Sequence, residues 1–132
     1  MSHFTTVQTK IKDLVALKAA LKDLGYAFTE AEQGVQVRGW LGQKETAEIS
    51  IQVSKTYDVG VKATAEGYEF VADWWGVETT KGVTQEQFVK AVTQRYAYHK
   101  VLREVARQGF TIETDEVKED QTIALTVRRW RS

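Results

Sequence analysis

The chain has no cysteine among its 132 residues. That excludes disulfide bridges, thiolate zinc sites, protein-held iron–sulfur clusters and cysteine nucleophiles together. Proline is also absent, so glycine carries most of the punctuation. Net charge is missing too: eighteen basic residues face eighteen acidic ones. A neutral chain has no overall field to draw it toward nucleic acid or an anionic membrane, and its copies repel one another little, which leaves homo-oligomers open. No run approaches the roughly 18 apolar residues of a membrane span. Met1-Ser2-His3-Phe4 lacks the basic-then-apolar pattern of a secretory signal. The expected location is therefore the cytoplasm, or an organelle stroma if the gene resides there.

The usual catalytic signatures are missing as well. Gly39-Trp40-Leu41-Gly42 is neither a phosphate loop nor a dinucleotide fingerprint, and the scattered serines include no nucleophile elbow. His3 and His99 are the only histidines, on distant segments, so neither a metal site nor a bound cofactor is expected. What is present is ordinary for a folded protein: 42% hydrophobic and 27% charged residues. One domain over residues 1–132 accounts for this, and an enzyme is not the favoured reading.

The apolar pattern gives a strand over Phe4–Thr9, then a helix from about Asp13 to Leu24 with Leu14, Leu17, Leu21 and Leu24 on one side. Asp13 suits the N-cap and Gly25 the left-handed residue after the helix. Tyr26–Glu32 and Val35–Leu41 read as a hairpin across Gln33-Gly34. Ala47, Ile49, Ile51 and Val53 alternate on one strand face, as do Tyr57, Val59 and Val61 on the next. Tyr68–Trp75 reads as a further strand. A long second helix opens on a capping box, Thr84 with Gln87, flanked by the staple Val83 and Phe88, and runs to Gly109. Phe110–Val117 and Thr122–Trp130 close the chain as a hairpin across Lys118-Glu119-Asp120.

Two halves, roughly 3–41 and 68–130, share the order strand, helix, strand, strand and end alike, in Val37-Arg38-Gly39-Trp40 and Val127-Arg128-Arg129-Trp130. Strands over 45–63 link them. The pattern predicts an α+β fold by duplication: a largely antiparallel sheet of about eight strands with two helices on one face. The other sheet face is left to water, to a partner, or to closure into a barrel.

Three groups invite functional readings. In Asp73-Trp74-Trp75-Gly76, strand alternation sends one indole inward and the other outward, where it could anchor a partner. Asp73 against indoles could serve as an acid or base, while the plainer reading makes it an exposed or capping carboxylate. Gln94-Arg95-Tyr96-Ala97-Tyr98-His99 puts Arg95, Tyr98 and His99 in a dense polar-aromatic stretch that suggests a hydrogen-bonding network; His99 is a general base on one reading and a satisfied core-edge residue on the plainer one. Arg128, Arg129 and Arg131 around Trp130 would suit RNA, but Glu113, Asp115, Glu116, Glu119 and Asp120 crowd the opposing strand, and cross-strand ion pairing is simpler.

The opening Met1-Ser2-His3-Phe4-Thr5-Thr6-Val7, Ile11-Lys12-Asp13-Leu14 through Leu24-Gly25-Tyr26, Asp73-Trp74-Trp75-Gly76 and Gln94-Arg95-Tyr96-Ala97-Tyr98-His99 together resemble one family. It is the cyanobacterial and algal-plastid family called hypothetical chloroplast reading frame thirty-five, a domain of unknown function, and the likeness runs from Ser2 to Trp130. The resemblance carries no catalytic residue over to this chain. It implies a housekeeping or photosynthesis-linked accessory protein, and the missing catalytic motifs with an outward Trp74 or Trp75 point to a non-enzymatic binding or assembly role with a protein partner. The alternatives are a small-ligand site or enzyme in a helix–sheet cleft near Asp73, Tyr98 and His99, and RNA binding through the arginine-rich last strand.

Overall fold

The computed structural model describes residues 3–117 and 123–129. Its elements in order are β1 (Thr5–Gln8), α1 (Leu14–Asp23), β2 (Ala27–Arg38), a short 3-10 turn at Trp40–Gly42, β3 (Lys44–Gln52), β4 (Asp58–Thr64), β5 (Gly67–Ala72), α2 (Trp74–Lys81), α3 (Gln85–Arg107), β6 (Phe110–Val117) and β7 (Ile123–Arg129). The fold is α+β and antiparallel, but β1 to β5 form one five-stranded sheet in the order β1-β5-β4-β3-β2, and β6 pairs only with β7. The expected sheet of about eight strands and the pair of helices become five strands, a separate hairpin and three helices among the described residues.

Two local misreadings explain the difference. Tyr26–Leu41 is not a hairpin. Both halves of β2 pair with β3, Ala27–Glu30 against Ile49–Gln52 and Val35–Arg38 against Lys44–Ala47, with a bulge between Glu30 and Val35. Gly34, at φ +93°, supplies the left-handed residue; here it bends a strand rather than reversing it. Nor does the strand after Gly67 reach Trp75. It ends at Ala72, because Asp73 caps a new helix. The first half thus closes on one bent strand and the second gains a helix, so the element order that suggests duplication is not repeated. Trp130, on which the shared Val-Arg-x-Trp ending depends, lies outside the described residues, as does the turn at Lys118-Glu119-Asp120.

Where local signals were strong, they hold. The Asp13 carboxylate accepts from the Ala16 N–H at 3.1 Å. At the other end of α1, Gly25 (φ +80°) donates to Lys22 O and Tyr26 to Leu21 O, the paired bonds of a Schellman ending. Both reciprocal bonds of the Thr84–Gln87 capping box form.

One sheet face, carrying Ile49, Ile51, Val59, Val61, Phe70 and Ala72, packs with Leu17 and Leu21 of α1, Val77 of α2, and Phe88 and Val92 of α3. Phe88 is its hub, with ring centroids 5.5 Å from Tyr26, 5.5 Å from Phe70 and 5.8 Å from Trp74. The other face is closed by the sheet itself. A β-carbon on Gly60 would lie 2.6 Å from Val37, 2.9 Å from Val71 and 3.1 Å from Ala47. Those three side chains therefore meet behind β4, and Ala47 lies opposite Ile49 and Ile51 rather than beside them. The far halves of β2 and β3 curl over the back of the sheet, and the Phe4 ring, just before edge strand β1, lies against Gly39, just after edge strand β2. Partial barrel closure takes the place that water or a partner would otherwise fill.

Candidate functional site

Asp73-Trp74-Trp75-Gly76 is the junction between β5 and α2, and each residue has a separate task. Asp73 has no exposed surface: one oxygen accepts from the Gly76 N–H and the other from the Trp40 N–H, both at 3.2 Å. It caps the helix, as the plainer reading had it, but from within the core. Trp74 turns inward against Phe88 and donates its indole N–H to Thr5 O at 3.3 Å. Trp75 turns outward and is 56% exposed. The one-in, one-out expectation is met by the first turn of a helix, where successive residues are about 100° apart. Gly76 has no side chain because Tyr57 occupies that space; an added β-carbon would lie 1.9 Å from Tyr57 Cε1.

Residues remote in sequence complete this end. The Trp40 ring meets Trp75 edge-on, with centroids 5.7 Å apart and planes at 88°. Such a contact holds the exposed indole in a defined orientation. Beside it lies an open groove of about 1040 Å³ with Val7, Trp74, Trp75 and Val89 as its apolar lining and Glu78, Glu86 and Lys90 among its polar residues. None of those three charges forms an ion pair among the described residues. Burial, and then the negative charge of Asp73, push the Tyr57 phenol above its ordinary value and keep it protonated. No local pattern in the sequence gives Trp40 or Tyr57 a role at this end of the fold, because each matters through a partner at least nineteen positions away, Gly76 for Tyr57 and Trp75 for Trp40.

Arg95, Tyr98 and His99 belong to a different constellation, the seam between α1 and α3. Asp23 Oδ2 accepts from Arg95 Nη2 at 2.7 Å and sits 2.6 Å from His99 Nε2. The Arg95 guanidinium lies over the Tyr98 ring at 4.4 Å, and Tyr98 meets His99 edge-on. At the start of α1, the Tyr96 hydroxyl accepts from the N–H groups of Lys12 and Asp13, both at 3.0 Å, and Asp13 pairs with Arg103 at 2.8 Å. The network expected of this stretch exists, with His99 satisfied by the Asp23 carboxylate. Asp73 has committed both oxygens to backbone N–H groups and His99 its Nε2 to Asp23, so they form two separate groups. At the last strand, the Arg128 side chain is exposed, and Arg131 and Trp130 lie outside the described residues.

The seam titrates in a defined direction. Burial alone would raise the Asp23 carboxyl, but hydrogen bonds from Arg95 and His99 outweigh it and hold the group below the usual carboxylate range. For Asp13, burial likewise opposes, and the Ala16 N–H with Arg103 and Lys100 prevails. A folded-state value below the unfolded one stabilises the protein above the unfolded value and loses that contribution as pH falls through the folded one. Thermal midpoints should therefore hold at neutral pH and drop below about pH 4. Asp23→Asn should start lower and fall less steeply; parallel acid curves for the two proteins would refute the assignment.

A family profile described as "Protein of unknown function (DUF1257)" matches residues 20–126. The chain belongs to this family. The chain is 36% identical to "Uncharacterized protein ycf35" of Guillardia theta, with 99% of both chains covered. It is 34% identical to the protein of the same name from Cyanophora paradoxa, again over 99% of both, and 32% identical to that of Pyropia yezoensis over 98% of both. The family resemblance read from the sequence is thus established across nearly the whole chain. No solved structure matches the chain. None of its described helices is long and apolar enough to cross a membrane.

Proposed function

We propose that this protein is a non-enzymatic accessory or assembly factor that docks a partner polypeptide on Trp75 and the adjoining groove. The carrying observation is the exposed Trp75 indole, oriented by Trp40 at the mouth of an apolar-lined groove of about 1040 Å³. An isolated exposed apolar residue needs no explanation; a large aromatic ring held rigid beside a groove is the form that interface anchors take. The occupant that fits is a segment bearing an apolar side chain for the Val7–Trp74–Val89 lining, flanked by charges that complement Glu78, Glu86 and Lys90. The algal ycf35 relatives fit a setting in the plastid stroma or the cyanobacterial cytoplasm, and association with photosynthesis is part of the proposal. Catalysis at Asp73 and His99 has less support, since the carboxylate is fully engaged and the imidazole is bound into the helix seam.

The test is quantitative. A partner recovered from native photosynthetic lysate is purified and titrated against wild type and Trp75→Ala. The substitution should weaken binding at least tenfold, as for a tryptophan anchor, while stability changes by no more than about 1.5 kcal/mol. Equal affinity for the two proteins would overturn the reading.

A further inference from the structure

A smaller pocket of about 420 Å³ opens where the curled end of β2 meets the start of β3. Arg38 and Lys44 both line it, and the strand register places them directly opposite one another. Like charges in that relation repel, so the arrangement calls for compensation. Arg38 receives it from Asp58, through bonds of 2.9 Å and 2.8 Å. Lys44 has no carboxylate partner among the described residues, and none of the pocket's lining residues is acidic. The two buried carboxylates behind this end are already matched: Asp58 by Arg38, and Asp73 by two backbone N–H groups at the start of α2.

Tyr57 supplies a second, independent observation. The ring is buried and lines the same pocket, and its hydroxyl, which no described residue engages, is left to solvent or to a ligand. A hydroxyl with no protein partner on a pocket wall is free to bond a ligand atom or water. Its burial and the nearby Asp73 keep it protonated, hence a donor. Trp40 and the Tyr57 ring supply aromatic lining, and the volume suits one small molecule.

We infer that this pocket binds a small organic acid, its carboxylate held between the Lys44 ammonium and the Tyr57 hydroxyl and its flat apolar body against Trp40. The two donors differ in kind, one ionic and one neutral, which selects a carboxylate on an apolar frame over a bare inorganic anion. The site is distinct from the groove beside Trp75 and stands or falls apart from it.

Isothermal titration of the full chain with benzoate and cinnamate, with benzamide and inorganic phosphate as comparison arms, tests this. At least one of the two acids should bind saturably, and benzamide, which keeps the ring but lacks the charge, about tenfold or more weaker. Lys44→Gln and Tyr57→Phe should each weaken the acid by about tenfold. Tyr57→Phe keeps the ring on Gly76 and removes a hydroxyl without a partner, so the free protein should melt no lower than wild type. Three results would overturn the inference: no binding of either acid up to about 10 mM, binding that neither substitution changes, or phosphate binding as tightly as the acid.

Discussion

Gly76→Ala should unfold this protein at a markedly lower temperature, although alanine is the better helix former by about 1 kcal/mol. The added β-carbon would lie 1.9, 2.2 and 2.3 Å from three atoms of the Tyr57 ring. That ring is rigid and buried, between α2 and the sheet, so the contact cannot be relieved by turning a flexible tip aside. Either Tyr57 leaves the core or α2 lifts from it. Overpacking of this severity costs about 3 kcal/mol or more, which for a domain of this size is a fall of about 10 °C in Tm. Tyr57→Ala removes the obstacle, and in that background Gly76→Ala should cost under about 1 kcal/mol. A Gly76→Ala protein melting within a few degrees of wild type would refute the packing.

The second large effect is an asymmetry at the Arg38–Asp58 pair. Asp58 is 2% exposed, and it accepts from the Arg38 backbone N–H as well as from the guanidinium. The Arg38 side chain is 42% exposed and also donates to the carbonyls of Lys55 and Ser54. Arg38→Leu strands a buried carboxylate and should cost about 3–5 kcal/mol. Asp58→Asn strands a guanidinium that water can reach and keeps a carbonyl for the Arg38 N–H, so about 1–2 kcal/mol is expected. Denaturant unfolding of both variants decides the matter; equal losses, or a larger one for Asp58→Asn, would contradict the geometry. The pair pins the curled end of β2, so its loss should also loosen the turn that carries Trp40.

Most helix boundaries were legible in the sequence because their signals are local. The Asp13 cap, the Gly25 ending and the Thr84–Gln87 box each act within a few residues and need no knowledge of the rest of the chain. The errors fell where one local signal serves two geometries. A left-handed glycine can reverse a chain or bend a strand; at Gly34 the pairing of both halves of β2 with β3 chose the bend. Likewise, an aspartate before two tryptophans fits a strand end or a helix start, and the Trp40 N–H, 33 positions away, engages the carboxylate that begins α2.

The functional groups divide along the same line. That Asp73-Trp74-Trp75-Gly76 and the Arg95–His99 stretch are special could be read from composition alone, as could the family resemblance. That they are separate, one ending β5 beside a groove and the other fastening α1 to α3 through Asp23, depends on contacts across 72 and 76 positions. Sequence by itself determined the class of fold, the caps of α1 and α3 and that one of Trp74 and Trp75 faces outward, since periodicity and capping are short-range. Only the tertiary structure decided which tryptophan that is, what orients it, and how the back of the sheet is closed, because packing joins residues whose spacing in the chain carries no signal.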